Sequence, residues 1–183
     1  SAIKKDLELR YLLLIEDTFA ASLKTFFGMR SFDLRGHSYQ QLELEGLPNL
    51  EVFSVNKNSS VKTVSITNLP QLENINLQGG DIEKIHLLEL PMLKALWVKN
   101  NAISALDLSK LKKLQQLHAM NCNLLELDLT GLQNILICHL NGNQLKKLIL
   151  EPQSCLQILT CANNQLEELN LQGLTALNNL NCR

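Results

Sequence analysis

The sequence predicts a repeat solenoid of the α/β type in which most of the regular structure is β-strand. Residues 90–110 and 111–131 repeat one 21-residue pattern, with apolar side chains at positions 1, 4, 7, 9, 14, 17 and 19. Apolar and polar side chains alternate around positions 7–9 and 17–19, which is typical of short half-buried strands. The chain is 45% hydrophobic but only 4% aromatic, so the predicted core is aliphatic.

The repeat covers residues 26–183 as seven full coils and one partial coil. Two strands in each coil, each stacking on its counterpart one repeat later, predict two parallel sheets on opposite sides of a flattened coil. Because neighbouring coils share their buried faces, stability accrues along the row. The second coil has one extra residue near Ser59. The full coils are 26–46, 47–68, 69–89, 90–110, 111–131, 132–152 and 153–173, and the partial coil is 174–183.

Residues 1–25 do not follow the repeat and form a separate N-terminal segment. The side chains of Ile3, Leu7, Tyr11 and Leu14 recur at helical spacing with charged residues between them, which predicts an amphipathic helix. Such a helix would cap the hydrophobic end of the first coil. The run LELRYLLLI is also compatible with a strand, so a degenerate first coil is the alternative.

Positions 11 and 12 of the repeat predict the chemistry of one turn in each coil. A buried Asn or Cys at position 12 can bond backbone groups that a tight bend leaves unpaired. Gly and Asn dominate position 11, and both residue types tolerate left-handed backbone. Position 12 carries His37, Asn58, Gly80, Asn101, Cys122, Asn143 and Asn164.

Charge and cysteine content exclude several classes of protein. The chain has 17 basic and 18 acidic residues without a basic cluster, so nucleic acid is not a predicted partner. No apolar run approaches the length of about 20 residues that membrane insertion needs, and no signal-peptide layout is present. Cys138, Cys161 and Cys182 occupy core positions 7 and 9, where cysteine acts as a small buried hydrophobe. Reduced thiols favour the cytoplasm, but a secreted or cell-surface location stays open.

Segments such as LKALWVKNNAI, LQQLHAMNCNL and LQILTCANNQL resemble the L-x-x-L-x-L-x-x-N/C-x-L consensus of leucine-rich repeat proteins. The 21-residue length and the phrase NNQLEELNL resemble bacterial, internalin-like repeats in particular. The resemblance covers residues 26–183. It implies a right-handed solenoid with a parallel concave sheet, short strands or 3-10 turns on the convex side, and partners, usually proteins, bound on the concave sheet.

The resemblance directs attention to positions 6, 8 and 10, which flank the inward side chains of the first strand. Trp97, the only tryptophan, should neighbour His118 on that face, with aliphatic residues within two coils. Exposed aromatic and aliphatic groups with a polar margin are typical of a protein-binding patch. The alternative is that these are isolated apolar residues of the ordinary kind. The predicted partner-binding residues are Trp97, Lys99, His118, Met120, Ile137, His139 and Ile158.

We therefore expect a non-catalytic protein-interaction module without a cofactor. Two alternatives stay open: the repeat region of a larger bacterial signalling or cell-surface protein, and a metal-dependent enzyme that uses His118 and His139. The enzyme lacks a third ligand in the pattern, since Thr160, Gln116 and Asn141 are poor ones. A monomer is expected, with end-to-end pairing through the C-terminal coil as the other arrangement.

Overall fold

The protein is described by a computed structural model that covers residues 20–23, 31–34, 40–55, 60–152 and 155–183. Within these ranges all regular secondary structure is β-strand, and no helix has the length and apolarity needed to cross a membrane. The strands are β1 (Ala20–Leu23), β2 (Ser31–Leu34), β3 (Gln41–Glu45), β4 (Val52–Val55), β5 (Thr63–Thr67), β6 (Asn74–Asn76), β7 (Lys84–Leu88), β8 (Ala95–Trp97), β9 (Gln116–His118), β10 (Glu126–Asp128), β11 (Ile137–His139), β12 (Lys147–Ile149), β13 (Ile158–Thr160) and β14 (Asn179–Asn181).

The larger sheet is parallel and contains one strand from every coil. Its eight strands are ordered β14-β13-β11-β9-β8-β6-β4-β2, so each strand pairs with those one repeat before and after it. The register advances by 21 residues from Trp97 to His118, to His139 and to Thr160. The chain is therefore a parallel β-solenoid with 21-residue spacing. The step from Val52 to Asn74 is 22 residues, which confirms the predicted extra residue in the second coil.

The opposite side of the coil is less regular than expected. β1, β3, β5 and β7 form one parallel sheet and β10 and β12 form another. Neither Asp107 nor Asn170 lies in a strand, although the repeat predicted one at each. Both residues accept a hydrogen bond from the backbone N–H two positions later, which starts a turn. Asp128, at the equivalent position, accepts the same bond from the Thr130 N–H and yet lies in β10, so this bond by itself does not prevent a strand.

The core lies between the two sides and follows the predicted grid. The inward side chains of the larger sheet, such as Phe53, Leu96 and Leu117, are fully buried. Core packing is looser in the last full coil, where Leu171 is 36% exposed at a position that the repeat assigned to the core. Buried side chains along the larger sheet are Phe53, Val55, Ile75, Leu77, Leu96, Val98, Leu117, Ala119, Cys138, Leu140, Leu159 and Cys161.

The structure confirms the predicted role of position 12. The Asn101 Nδ2 donates hydrogen bonds to the Leu77 and Val98 carbonyls at 2.7 and 2.8 Å, and its Oδ1 accepts one from the Ile82 N–H at 3.1 Å. Asn143 and Asn164 repeat this arrangement one coil apart, and the Cys122 thiol contacts the Val98 carbonyl at 3.2 Å. Left-handed backbone at position 11 is confirmed at Gly79, Asn100, Asn121, Gly142 and Asn163.

Two sequence expectations need correction. Ala20–Leu23, within the segment predicted as a helical cap, forms β1 and pairs with β3, as a degenerate first coil would. The side chains from Ile3 to Leu14 on which the helix was predicted lie within residues 1–19, which, like residues 24–25, are outside the described residues, so the helix itself stays a prediction. Cys182 is exposed rather than buried, because it follows β14, the outermost strand of its sheet. Cys138 and Cys161 are buried as predicted.

Candidate functional site

Three rings lie next to one another across the middle of the larger sheet; the first two are stacked and the third is tilted against the second. Trp97, His118 and His139 occupy the same position on β8, β9 and β11, and in-register parallel pairing places their side chains next to one another. The Trp97 and His118 ring centroids are 5.7 Å apart with an interplanar angle of 26°. The His118 and His139 centroids are 4.9 Å apart with the rings tilted by 49°. We call these three residues the ring ladder.

The ring ladder ends in a hydrogen bond on the C-terminal side. The His139 Nδ1 lies 2.9 Å from the Thr160 Oγ1 on β13, so one ring nitrogen has a fixed partner. Thr160 is itself buried, with 9% of its surface exposed. The hydrogen bond orients the His139 ring and leaves its Nε2 directed away from that partner.

The aliphatic side chains of the predicted patch lie beside the ring ladder. Ile137 precedes His139 by two residues on β11, and residues two apart on a strand share a face. Ile137 pairs in register with Ile158 on β13 and with Gln116 on β9. The structure thus brings the two isoleucines together and sets them along one side of the ladder.

The predicted residues are not exposed in the way that the sequence suggested. Each of the seven is partly buried, because neighbouring coils cover the sides of these chains. Ala95, Thr160 and Ala162, at equivalent outward positions, are buried outright. The patch is therefore a tightly stacked surface with limited rotamer freedom, which lowers the entropy lost when a partner binds.

The electrostatics of the ring ladder favour neutral imidazoles. Burial lowers the pKa of His118 below its ordinary value of 6.5, and the nearby His139 and the Lys99 ammonium lower it further. Burial also lowers the pKa of His139. Both rings are therefore mostly uncharged at neutral pH, and the ladder presents an apolar, polarisable surface.

Lowered histidine pKa values predict a loss of stability in mild acid. The unfolded chain binds protons at imidazoles with a pKa near 6.5, while the folded chain resists them until the pH falls further. The stability contributed by His118 and His139 is thus fully present above about pH 7 and decreases as the pH falls below about 6.5. We expect the Tm to fall between pH 7 and 5.5, and the H118Q/H139Q variant to show a smaller fall.

Thermal unfolding followed by circular dichroism at closely spaced pH values measures this difference. Asp107 and Asp128 do not contribute in that window, because hydrogen bonds from the residue two positions later hold their pKa values below 3.8. An identical slope of Tm against pH in both proteins would show that the ring ladder does not resist protonation.

The described residues contain no cluster suited to a metal ion. They contain no group of three or more His, Cys, Asp or Glu side chains arranged to hold a metal, so His118 and His139 supply two ligands at most. Cys138, which precedes His139 and points to the opposite side of β11, is fully buried, and burial raises the pKa of its thiol far above the ordinary value. Such a thiol is inert as a nucleophile.

A second surface feature lies on the other side of the coil. A groove of about 630 Å³ separates β12 from the following coil, where no strand forms. Lys146 and Lys147 line one wall, and Glu167 and Glu168 line the other. The opposed charges make this groove a polar seam between coils, and no predicted site residue lies in it.

The sequence predicted which residues lie side by side on this face but not the contacts between them. Reading position 8 along the repeat already places Trp97 beside His118 and His139, and that column was the available signal. The tilt of the rings and the hydrogen bond to Thr160 depend on side-chain rotamers, which the repeat does not specify. From the sequence, Thr160 stood out only as a poor metal ligand.

The fold defines the class of the protein as a parallel β-solenoid with 21-residue coils, and the ring ladder lies on its larger sheet. No protein-family model matches the chain, and no curated protein shows significant similarity to it.

Proposed function

We propose that this protein is a non-catalytic protein-interaction module that binds its partner on the face of the larger sheet, over the ring ladder. The ring ladder supports the proposal: Trp97 stacks on His118 with ring centroids 5.7 Å apart, and His139 lies tilted against His118 with centroids 4.9 Å apart. Tryptophan anchors in ordered surroundings are typical of binding hot spots.

The surroundings of the ring ladder have the organisation of a small interface. Ile137 and Ile158 add aliphatic surface on one side. Asn76, paired in register with Trp97, and Gln116, paired with Ile137, supply amide groups around it. An apolar centre with a polar margin is the usual anatomy of a protein-binding surface.

We also infer that the solenoid is of the leucine-rich repeat type, with internalin-like coils. The 21-residue register and the buried amides of Asn101, Asn143 and Asn164 at the consensus Asn position support this inference. In such repeats the binding face is the concave sheet. A place within a larger bacterial signalling or cell-surface protein fits the same architecture.

The W97A/I137S variant tests the proposed face. Truncation of a tryptophan hot spot costs about 2 kcal/mol or more, which weakens binding by roughly thirtyfold. We expect wild-type protein to recover a partner from an extract of the source cells, and the variant to recover little of it. The dissociation constant of the purified partner, measured by calorimetry, gives the size of the loss.

A matched control uses apolar residues on the opposite side of the coil. L88A/L125S removes two exposed apolar side chains, Leu88 at 52% and Leu125 at 50% exposure, without touching the ring ladder. This control should bind as wild type does. If W97A/I137S recovers every partner as well as the control does, with both proteins folded, the partner does not bind on this face.

A further inference from the structure

From β4 onward, the outward positions of the face that carries the ring ladder have few charged residues and no acidic one. From Val52 onward, positions 6, 8 and 10 of the coils contain no Asp or Glu, although the whole chain has 18 acidic residues. The only charged residues at these positions are Lys99 and Arg183. Asp33 on β2 is the nearest acidic residue in the position-8 column, three strands from Trp97 and so about 14 Å away.

Among the described residues, Lys99 is the lysine whose ammonium acts on the ring ladder. It follows β8 by two residues and lies close enough to His118 to disfavour a second positive charge there. Lys99 forms no ion pair among the described residues, whereas Lys62 and Lys94 each have a carboxylate partner. The described part of the chain therefore does not neutralise this ammonium group.

Every titratable group that faces His118 within the described residues is basic. Lys99 approaches it from the β8 side and His139 from β11, while Thr160 on β13 carries no charge. A carboxylate placed there would pair with the Lys99 ammonium and would favour the protonated form of His118. Surfaces that bind each other place regions of opposite electrostatic potential together. We therefore expect the partner to supply the acidic group that pairs with Lys99.

We propose that the partner is a protein segment that places an Asp or Glu side chain between Lys99 and His118 and an aromatic or aliphatic side chain over Trp97. This inference rests on the proposed function. A nucleic acid fits less well, because phosphate binding draws on several cations and this part of the face has one. The ring ladder contains a single tryptophan, so it offers a contact surface for one anchoring side chain of the partner.

Binding of such a partner changes the protonation of His118. A carboxylate beside His118 stabilises the imidazolium form, so binding raises the proton affinity of the ring and takes up a proton. By linkage, the partner then binds more tightly as the pH falls from 8 to 6. The trend reverses only near pH 4, where the carboxyl group of the partner itself becomes protonated.

Selection from a random 12-residue peptide library displayed on phage identifies the chemistry that this face prefers. The full chain is immobilised, and the W97A variant serves as the subtraction surface. Peptides that depend on Trp97 should combine an acidic residue with an aromatic or aliphatic one a few positions away. Enrichment of basic or uncharged peptides that depend on Trp97 would overturn this inference while leaving the proposed function intact. Failure to enrich any peptide that depends on Trp97 would overturn both.

A double-mutant cycle then locates the carboxylate. The best peptide and its Glu→Gln counterpart are titrated against wild type, K99Q and K84Q, with the fluorescence of the single tryptophan as readout. We expect the acidic peptide to bind about three- to fivefold more tightly than its amide form, as partly exposed charge pairs do. K99Q should abolish that ratio, and K84Q, which changes an exposed lysine on β7, should preserve it.

The same peptides at pH 8 and pH 6 test the linkage. The acidic peptide should gain affinity at pH 6, and the gain should disappear in H118Q. An oligothymidylate of ten nucleotides is the competing ligand. Binding of the oligonucleotide more tightly than the selected peptide, or a ratio of acidic to amide peptide that is the same in K99Q as in wild type, would refute the assignment.

Discussion

The L117A variant is expected to lose about 3–5 kcal/mol of unfolding free energy. Leu117 is fully buried on β9, in register between Leu96 and Cys138 at the centre of the larger sheet. Sheet hydrogen bonds hold the coils at a fixed spacing, so neighbours cannot move in to fill the space. For a chain of this size the Tm should fall by roughly 6–20 °C.

Urea denaturation followed by far-ultraviolet circular dichroism measures this loss. L125A is the matched control, since it removes the same atoms from a side chain that is 50% exposed. That variant should stay within about 0.5 kcal/mol of wild type. A comparable loss in both variants would mean that the two leucines do not differ in burial.

The N143A variant is expected to lose about 2–4 kcal/mol. The Asn143 Nδ2 donates to the Ala119 carbonyl at 2.7 Å and the Leu140 carbonyl at 2.9 Å, and its Oδ1 accepts from the Leu124 N–H at 3.2 Å. Alanine removes all three bonds from a side chain that is only 6% exposed. Buried backbone groups without partners carry the full cost of their lost hydration.

Two further variants separate this hydrogen bonding from the loss of atoms. N143C should retain part of the stability, because Cys122 occupies the same position and its thiol contacts the Val98 carbonyl at 3.2 Å. N134A removes one exposed amide that bonds the Lys112 carbonyl, and it should have little effect. If N143A is no less stable than N134A, the buried amides do not hold the coils together.

Much of the fold was predictable because the same pattern of apolar and polar positions recurs in every coil. Inward positions need apolar side chains in every coil, so single exceptions such as Cys138 do not obscure the pattern. The extra residue near Ser59 was predictable for the same reason. The second side of the coil was less predictable, since Asp107 and Asn170 can join a strand or start a turn, and the local sequence does not decide between them.

The sequence predicted which residues of the candidate site lie side by side, but it did not predict how exposed they are. Knowing the period was enough to place Trp97, His118 and His139 in one column. Their partial burial was not foreseen, because the cover comes from side chains 21 residues away on each side. The partner and its chemistry stay proposals that rest on this geometry.

The amino-acid sequence by itself determined the 21-residue coil, the division into inward and outward positions, and the buried amides of Asn101, Asn143 and Asn164 at one turn, because each of these follows from the repeated pattern and from backbone requirements. The tertiary structure alone decided that three ring centroids lie 5.7 and 4.9 Å apart, that Thr160 hydrogen-bonds to His139, and that Cys182 and Leu171 are exposed. The physical reason is that these properties belong to contacts between coils. A side chain's environment in a solenoid is set by its neighbours one repeat away, and those contacts exist only once the coils have stacked.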